Sequence, residues 1–248
     1  MTTVSTVVLT LNEERNIAEC LDTLTWSDEM LVLDSFSEDD TERLARDMGA
    51  EVRGRQFDDY AAQRNAGLSL ASGEWVFFVD ADERVTAELA DEVRNVIESE
   101  SLDGWWVPRK NYIFGKWIRH AGWFPDYQLR LLRRDKARYD EGRPVHELVV
   151  LDGEAGFLHN PLIHFNYSTV KEFAKKQNRY MDLEVRMLRE SGVRAKPWNL
   201  ILQPLRQFRW RYITLRGYRD GWRGLLLSSL LGYYEIVRYW RLWRPQDA

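Results

Sequence analysis

Through its first hundred residues the chain alternates short, β-branched apolar runs with stretches whose apolar positions recur every three to four residues, the signatures of strand and helix. Residues 4–11 predict a strand, and Asn12 is placed to cap a helix carrying Ile17, Cys20, Leu21 and Leu24. Residues 30–33 predict a second strand ending at Asp34. Residues 41–48 follow as a short helix with Leu44, Ala45 and Met48 inward and Gly49 as its stop. Residues 51–55 make a weak strand, 58–70 a helix, Ser72-Gly73 a turn and 75–79 a central strand, with a further helix near Thr86. The order βαβαβαβ calls for a parallel sheet with right-handed crossovers.

Ligands of such sheets sit beyond the carboxyl ends of the strands. There the sequence places Thr10 and Asn12 after the first strand, Asp34 after the second, and Asp80 and Asp82 after the run Glu74-Trp75-Val76-Phe77-Phe78-Val79. Unpaired carboxylates at the end of a buried strand repel each other and lose hydration, which a hard divalent cation relieves. Mg²⁺ or Mn²⁺ typically takes one or two carboxylates and completes its shell with phosphate oxygens and water, so the pattern points to chemistry on a diphosphate. An Asp-x-Asp triplet also serves as a solvated turn or as a cap for the helix near Thr86. Thr10-Leu11-Asn12-Glu13 lacks a glycine-rich phosphate turn and the chain has no Gly-Lys-Ser/Thr of a P-loop, which argues against nicotinamide and ATPase chemistry.

With 248 residues, 44% of them hydrophobic, the chain can bury a full core, and no low-complexity linker or internal repeat divides it. Its single cysteine, Cys20, excludes an intramolecular disulfide and suits a reducing compartment; its spacing with Ile17, Leu21 and Leu24 makes it a core residue. Residues 1–11 lack the basic start and long apolar stretch of a signal peptide, so a cytoplasmic location is expected. Charge divides the chain: residues 1–164 carry a net −14 and residues 165–248 a net +10, which implies two surfaces with different partners.

The opening VVLTLNEERNIAECLDTL, the segments VLDSFSEDDT and AAQRNAGLSLASGEWVFFVDADE, and the downstream GWFPDYQLRLLRR together resemble the inverting family 2 glycosyltransferases of the GT-A fold. PVHELVV, LIHFNYSTVKEFAKKQNRYMDLE and the Trp/Arg-rich end are similar to bacterial lipopolysaccharide-core glycosyltransferases, including their β-1,4-glucosyltransferase members. The resemblance spans nearly the whole chain and implies an α/β fold: a Rossmann-like, mostly parallel central sheet flanked by helices, with a C-terminal helical extension. On that basis residues 1–165 form the catalytic domain, with 1–100 its nucleotide-binding half and 101–165 its acceptor half. Residues 166–248 form the extension.

The resemblance also implies roles. Thr10, Asn12 and Glu13 lie around the nucleoside, Asp34 contacts base or ribose, Arg64 reaches base or diphosphate, Asp82 is the principal metal ligand, and Asp80 contacts ribose or metal-bound water. Each has a plainer alternative: Glu13 favours a helix N-terminus, Asp34 with Ser35 builds a turn, and Arg64 pairs with Asp58 or Asp59 on the surface. Asp126, in Trp123-Phe124-Pro125-Asp126, matches the family's acidic base, although many members have Glu-Asp where this chain has Pro-Asp. Displacement at an anomeric carbon needs such a base as the acceptor hydroxyl attacks; capping of a turn after Pro125 is the alternative. Glu147 is the next acid in line. His146 and His164 offer a further metal ligand or phosphate hydrogen bonds, or are core residues. Arg130 and Arg133 neutralise phosphate or line a strand edge. Among the aromatics between Gly104 and Trp123, Trp117 and Trp123 are candidates for an acceptor wall and the others for the core.

Residues 198–244 hold nine Arg and eleven aromatics against only Asp220 and Glu235. The apolar stretch 225–237 is too short and too charged to span about 30 Å of hydrocarbon. A helix lying in the interface of the inner leaflet, with Trp and Tyr at headgroup level and Arg toward anionic lipid, fits better. A helix pair between subunits is a further reading, and no recognised nucleic-acid motif is present. The expected protein is a peripheral-membrane, Mn²⁺- or Mg²⁺-dependent transferase moving a hexose from a uridine diphosphate sugar to a saccharide or lipid-linked acceptor. A catalytically silent sugar-nucleotide-binding module and a nucleotidyltransferase are the competing readings.

Overall fold

The computed structural model describes residues 2–99, 102–140 and 148–244. The strands are β1 (Val4–Thr10), β2 (Glu29–Asp34), β3 (Glu51–Gly54), β4 (Trp75–Asp80), β5 (Glu83–Arg84), β6 (Gly104–Ile113), β7 (Lys116–Trp117), β8 (Asp126–Arg133), β9 (Ala137–Tyr139), β10 (Val149–Leu151), β11 (Ala155–Phe157) and β12 (Leu162–Tyr167). The helices are α1 (Ile17–Asp22), α2 (Thr41–Asp47), α3 (Tyr60–Leu70), α4 (Ala87–Glu98), α5 (Val170–Glu190), α6 (Asn199–Arg209) and α7 (Trp222–Trp243). They fall into two compact units, residues 1–109 with 127–164, and residues 110–126 with 165–248.

In the first unit the sheet runs β3-β2-β1-β4-β8-β6-β12-β5. The pairs β2–β3, β1–β2 and β1–β4 are parallel, and β8 turns the sheet antiparallel on the far side of β4. The parallel part is the α/β sheet that the alternating pattern predicts, and the whole is the GT-A-like arrangement that the resemblance implies. Successive β4 side chains feed opposite faces: Trp75, Phe77 and Val79 pack with α1 and α4 residues such as Leu21, Leu89 and Val93, while Val76 and Phe78 pack with Ala61 and Leu68 of α3. A strand buried on both faces reads as a continuous apolar run, and each buried Phe contributes about 1.5–3 kcal/mol. Gly67 lets α3 approach closely, since a Cβ there would sit 2.9 Å from Val7 Cγ1 and 3.1 Å from Phe78 Cε1.

Asn12 departs from expectation. The helix starts only at Ile17, and Asn12 takes a left-handed backbone (φ +57°) in which its Oδ1 accepts from Glu38 N at 2.9 Å. Asn tolerates that conformation because its short amide bonds locally. The start of α3 shifts less: Asp59 caps it by accepting from Ala62 N at 2.8 Å, while Asp58 pairs with Arg55.

The second unit has its own core of Ile113, Ile118, Tyr167, Phe173, Met181, Val185, Leu227, Tyr234 and Leu242. Hydrogen bonds tie residues 110–126 to the C-terminal helices. Arg211 donates to Ala121 O at 2.7 Å, Ala121 N to Leu215 O at 2.9 Å, and Arg223 to Phe114 O at 3.0 Å. The buried Asp220 carboxylate accepts from the backbone of Arg119 and His120 and meets the His120 ring. Phe114, Ala121 and Gly122 all have positive φ, so this loop depends on those bonds.

Candidate active site

Parallel pairing sets the ends of β1, β2 and β4 side by side, with Thr10 opposite Asp34 and Leu9 opposite Asp80. Thr10 Oγ1 donates to Asp34 Oδ1 at 2.7 Å, and Ser37 donates to the same carboxylate through its backbone N (2.7 Å) and its Oγ (2.6 Å). Only 2% of Asp34 is exposed, so it organises the turn that follows β2. Asn12 N donates to Ser37 Oγ at 2.8 Å, which joins the turns after β1 and β2. Glu13 combines two features: its carbonyl accepts from Asn16 N and Ile17 N at the start of α1, and its carboxylate accepts from Asn16 Nδ2 at 2.7 Å.

Asp80 is not an unpaired acid. Arg130 of β8 grips it with two hydrogen bonds, 3.0 Å to Oδ1 and 2.5 Å to Oδ2, and Arg64 of α3 adds a third at 3.3 Å to Oδ1. Burial alone would raise the Asp80 carboxyl, but Arg130 and then Arg64 hold it well below the usual carboxylate range. Arg64 is therefore a buried partner of Asp80, not a surface partner of Asp58 or Asp59, and it stacks 5.1 Å from the Phe78 ring centroid. About a third of the Asp80 side chain still reaches solvent. Arg133 instead faces Asp135 at 3.7 Å.

Glu83, which sequence reasoning passed over, completes this network. It is fully buried; its Oε2 accepts from Asp80 N at 2.9 Å, and its Oε1 faces Arg109 at 3.6 Å and Arg130 at 3.7 Å. The continuation of Asp-x-Asp into a further acid was its only local signal. Arg130→Met should leave Asp80 with Arg64 alone and Glu83 with Arg109 alone, costing about 3 kcal/mol and lowering Tm by roughly 6–12 °C. Arg130→Lys should recover part of the loss, because an ammonium cannot reproduce the planar two-bond grip. A thermal melt of both variants checks this.

Asp82 follows β4 and is half-buried. The two-residue strand β5 pairs with β12 so that His164 stands opposite Glu83, which sets His164 Nε2 3.3 Å from Asp82 Oδ2. His164 is thus buried and also part of the site. Arg84 locks the intervening turn by donating to Ala81 O and Glu83 O at 2.9 and 2.8 Å. Burial pushes the Glu13 carboxyl up, its Asn16 hydrogen bond pulls it back, and the charges of Asp82, Asp39 and Asp80 add to the rise. The Asp82 carboxylate with His164 Nε2 beside it offers an oxygen and a nitrogen donor, which fits a divalent cation that draws its remaining ligands from phosphate and water. Among the described residues, no three His, Cys, Asp or Glu side chains form a metal cage by themselves.

In the second unit Asp126 is half-buried and accepts from Asn111 Nδ2 at 3.2 Å; the same amide donates to Trp123 O at 2.9 Å. Asn111 is fully buried and gave no signal in the sequence, since its partners lie 12 and 15 residues away. Trp117 lies under two cations, with Lys110 Nζ 4.3 Å and Arg119 Cζ 4.0 Å from its ring centroid. Trp123 packs edge-on against Tyr167 with centroids 6.4 Å apart. His146 and Glu147 lie outside the described residues.

Residues 5–162 match the family described as Glycosyl transferase family 2. The lipopolysaccharide core biosynthesis glycosyltransferase LpsC of Rhizobium meliloti is 31% identical over 240 residues, covering 94% of this chain and 89% of LpsC. An uncharacterized glycosyltransferase of Rickettsia typhi is 24% identical over 254 residues, 98% of this chain and 87% of its own. Among solved structures, glucosyl-3-phosphoglycerate synthase of Mycobacterium tuberculosis, in complex with Mn²⁺, uridine diphosphate and glucosyl-3-phosphoglycerate, is 28% identical, with a TM-score of 0.38; the match covers 46% of this chain and 45% of that one. The extent of the family match and the identity to LpsC along almost the full chain place this protein in glycosyltransferase family 2.

Proposed function

We propose that this chain moves a hexose, glucose first among candidates, from a uridine diphosphate sugar to a saccharide or lipid-linked acceptor with inversion. The pathway would be the assembly of lipopolysaccharide core or another cell-envelope glycan, a reading supported by the similarity to LpsC over 94% of the chain. One observation carries the donor assignment. Where parallel strands end, Asp82 meets His164 while Asp80 is held by Arg130 and Arg64, so hard oxygen donors and fixed cationic charge stand together, as a metal-bound diphosphate requires.

In this reading Thr10, Asn12, Glu13 and Asp34 shape the nucleoside pocket, and Arg64 and Asp80 face ribose or diphosphate. Asp82, with His164, holds Mn²⁺ or Mg²⁺. When bound, the cation takes up charge developing on the departing diphosphate, which is worth several kcal/mol. The remaining work falls to side chains. Asp126 accepts the proton of the attacking hydroxyl, Asn111 holds that carboxylate in place, and Trp117 and Trp123 offer apolar faces to the acceptor sugar.

A thermal-shift series tests the donor class. Uridine diphosphate with Mn²⁺ should raise the apparent stability by about 2.7 kcal/mol at a hundredfold excess over Kd, while adenosine or guanosine diphosphate should do little. A shift equally large without metal would remove the metal from the proposal. Pyrophosphate release during turnover would favour a nucleotidyltransferase, and donor binding without transfer to any acceptor would favour a silent binding module.

A further inference from the structure

The glycosyl-transfer site leaves the basic, aromatic C-terminal stretch unused, and the structure resolves that stretch into parts with different roles. Helix α7 spends much of its charge internally: Arg238 pairs with Glu184 and Glu235, and Arg241 with Asp182 of α5. Its apolar middle is partly consumed as well, since Leu227 and Tyr234 are buried in the core of the second unit. Gly232 permits close packing on α6, where an added Cβ would lie 3.2 Å from Pro204 O.

Helix α6 is different. It has no buried residue, and Trp198, Ile201, Leu202 and Leu205 recur at helical spacing with 55%, 63%, 58% and 61% of their surfaces exposed. Arg209 at its end, and Arg216 and Arg219 in the segment that follows, are exposed and form no ion pair among the described residues. The only acids of residues 191–244 are Asp220 and Glu235, and both are engaged, Asp220 by backbone N–H groups of Arg119 and His120 and Glu235 by Arg238. The result is an apolar stripe beside positive charge, with no carboxylate of residues 191–244 free to answer it.

We infer that the exposed face of α6 and the segment through Arg219 docks on an anionic lipid surface, with Ile201, Leu202 and Leu205 entering the acyl boundary and the arginines at headgroup level. Trp198, Trp210 and Tyr218, all exposed, are the residue types favoured at that depth. A second copy of the chain is a poorer occupant, because a two-fold interface would set Arg209, Arg216 and Arg219 against their own counterparts. Nucleic acid would answer the charge but not the Ile and Leu stripe. No helix among the described residues is long and apolar enough to cross a membrane, and the contact inferred here is one in which α6 lies along the lipid surface. The inference stands apart from the donor chemistry and uses none of its residues.

Sedimentation of the full chain with phosphatidylcholine vesicles, with and without 30 mol% (about one third) phosphatidylglycerol, tests it. The unmodified chain should partition at least about tenfold more strongly onto the anionic vesicles, and raised salt should release part of it. Leu202→Glu with Leu205→Glu should reduce binding by roughly tenfold or more. Arg216→Gln with Arg219→Gln should reduce it by roughly 25-fold, about fivefold per arginine. All variants should keep the unmodified melting profile and the shift with uridine diphosphate, which separates loss of docking from loss of fold or of donor binding. Equal partition of unmodified and Glu-substituted chains overturns the inference. So does a dimer that Leu202→Glu with Leu205→Glu converts to monomer, or tighter binding to single-stranded RNA than to anionic vesicles.

Discussion

Asp82→Asn is expected to lower transfer by about 10³-fold or more while leaving the fold intact. The size follows from the role proposed for the carboxylate: losing several kcal/mol of transition-state stabilisation costs a factor of ten for each 1.36 kcal/mol. The intact fold follows from position, because Asp82 is half-buried at a strand end, outside the arginine network, and meets His164. Chelation of the unmodified protein should have a similar effect, and added Mn²⁺ should restore the unmodified protein but not Asp82→Asn. Asp80→Asn should behave differently. It leaves the buried Arg130 without its main counter-charge, so a fall in Tm should accompany the loss of activity. Full turnover of Asp82→Asn, or of the unmodified protein in excess chelator, would remove Asp82 from metal binding.

The parallel half of the fold was legible because each of its elements carries a local signal. Val76, Phe77, Phe78 and Val79 read as a strand buried on both faces, and the helix caps that the structure assigns to Asp59 and Thr86 act on N–H groups only three residues on. From this the place of Asp80 and Asp82 follows, since strand ends in such sheets are ligand sites. The chemistry around them was harder to read. Arg130 meets Asp80 across 50 residues of sequence and His164 meets Asp82 across 82, through antiparallel pairings of β8 with β4 and β12 with β5. Such register has no local signature, so the sequence alone predicts two mutually repelling acids, whereas one of them is neutralised by protein.

The same limit explains Asn12 and the segment 110–126. Asn before an apolar periodic stretch is a good cap signal, yet here Ser37 and Glu38, 25 and 26 residues away, hold Asn12 in a left-handed turn. Aromatic content alone marks Trp117 and Trp123 as either core or sugar platform. What groups their segment with the C-terminal residues is a set of side-chain hydrogen bonds to its backbone, in which Arg211 and Arg223 donate to carbonyls and the Asp220 carboxylate accepts from N–H groups, and nothing in the spacing of those residues announces it. The tail's charge was legible as a total but not as a distribution, because only packing shows that Arg238 and Arg241 are spent on α5 and its neighbours.

Asp126→Asn should retain donor affinity and lower transfer by roughly 10²–10⁴-fold, the usual contribution of a general base. The substitution is close to isosteric, and the amide can keep accepting from Asn111 Nδ2, the 3.2 Å bond that fixes the side chain, so a structural loss is not expected. What disappears is the ability to take a proton from the acceptor hydroxyl. Asn111→Ala supplies the complementary test of positioning: it removes a fully buried donor that serves both Asp126 and Trp123 O, so transfer should fall less than in Asp126→Asn and Tm should fall with it. Measured side by side, the shift with uridine diphosphate and Mn²⁺ should survive in Asp126→Asn while single-turnover transfer collapses. Loss of donor binding together with transfer would mean that Asp126 is structural. Near-normal transfer would move the base to another acid, with Glu147 the next candidate.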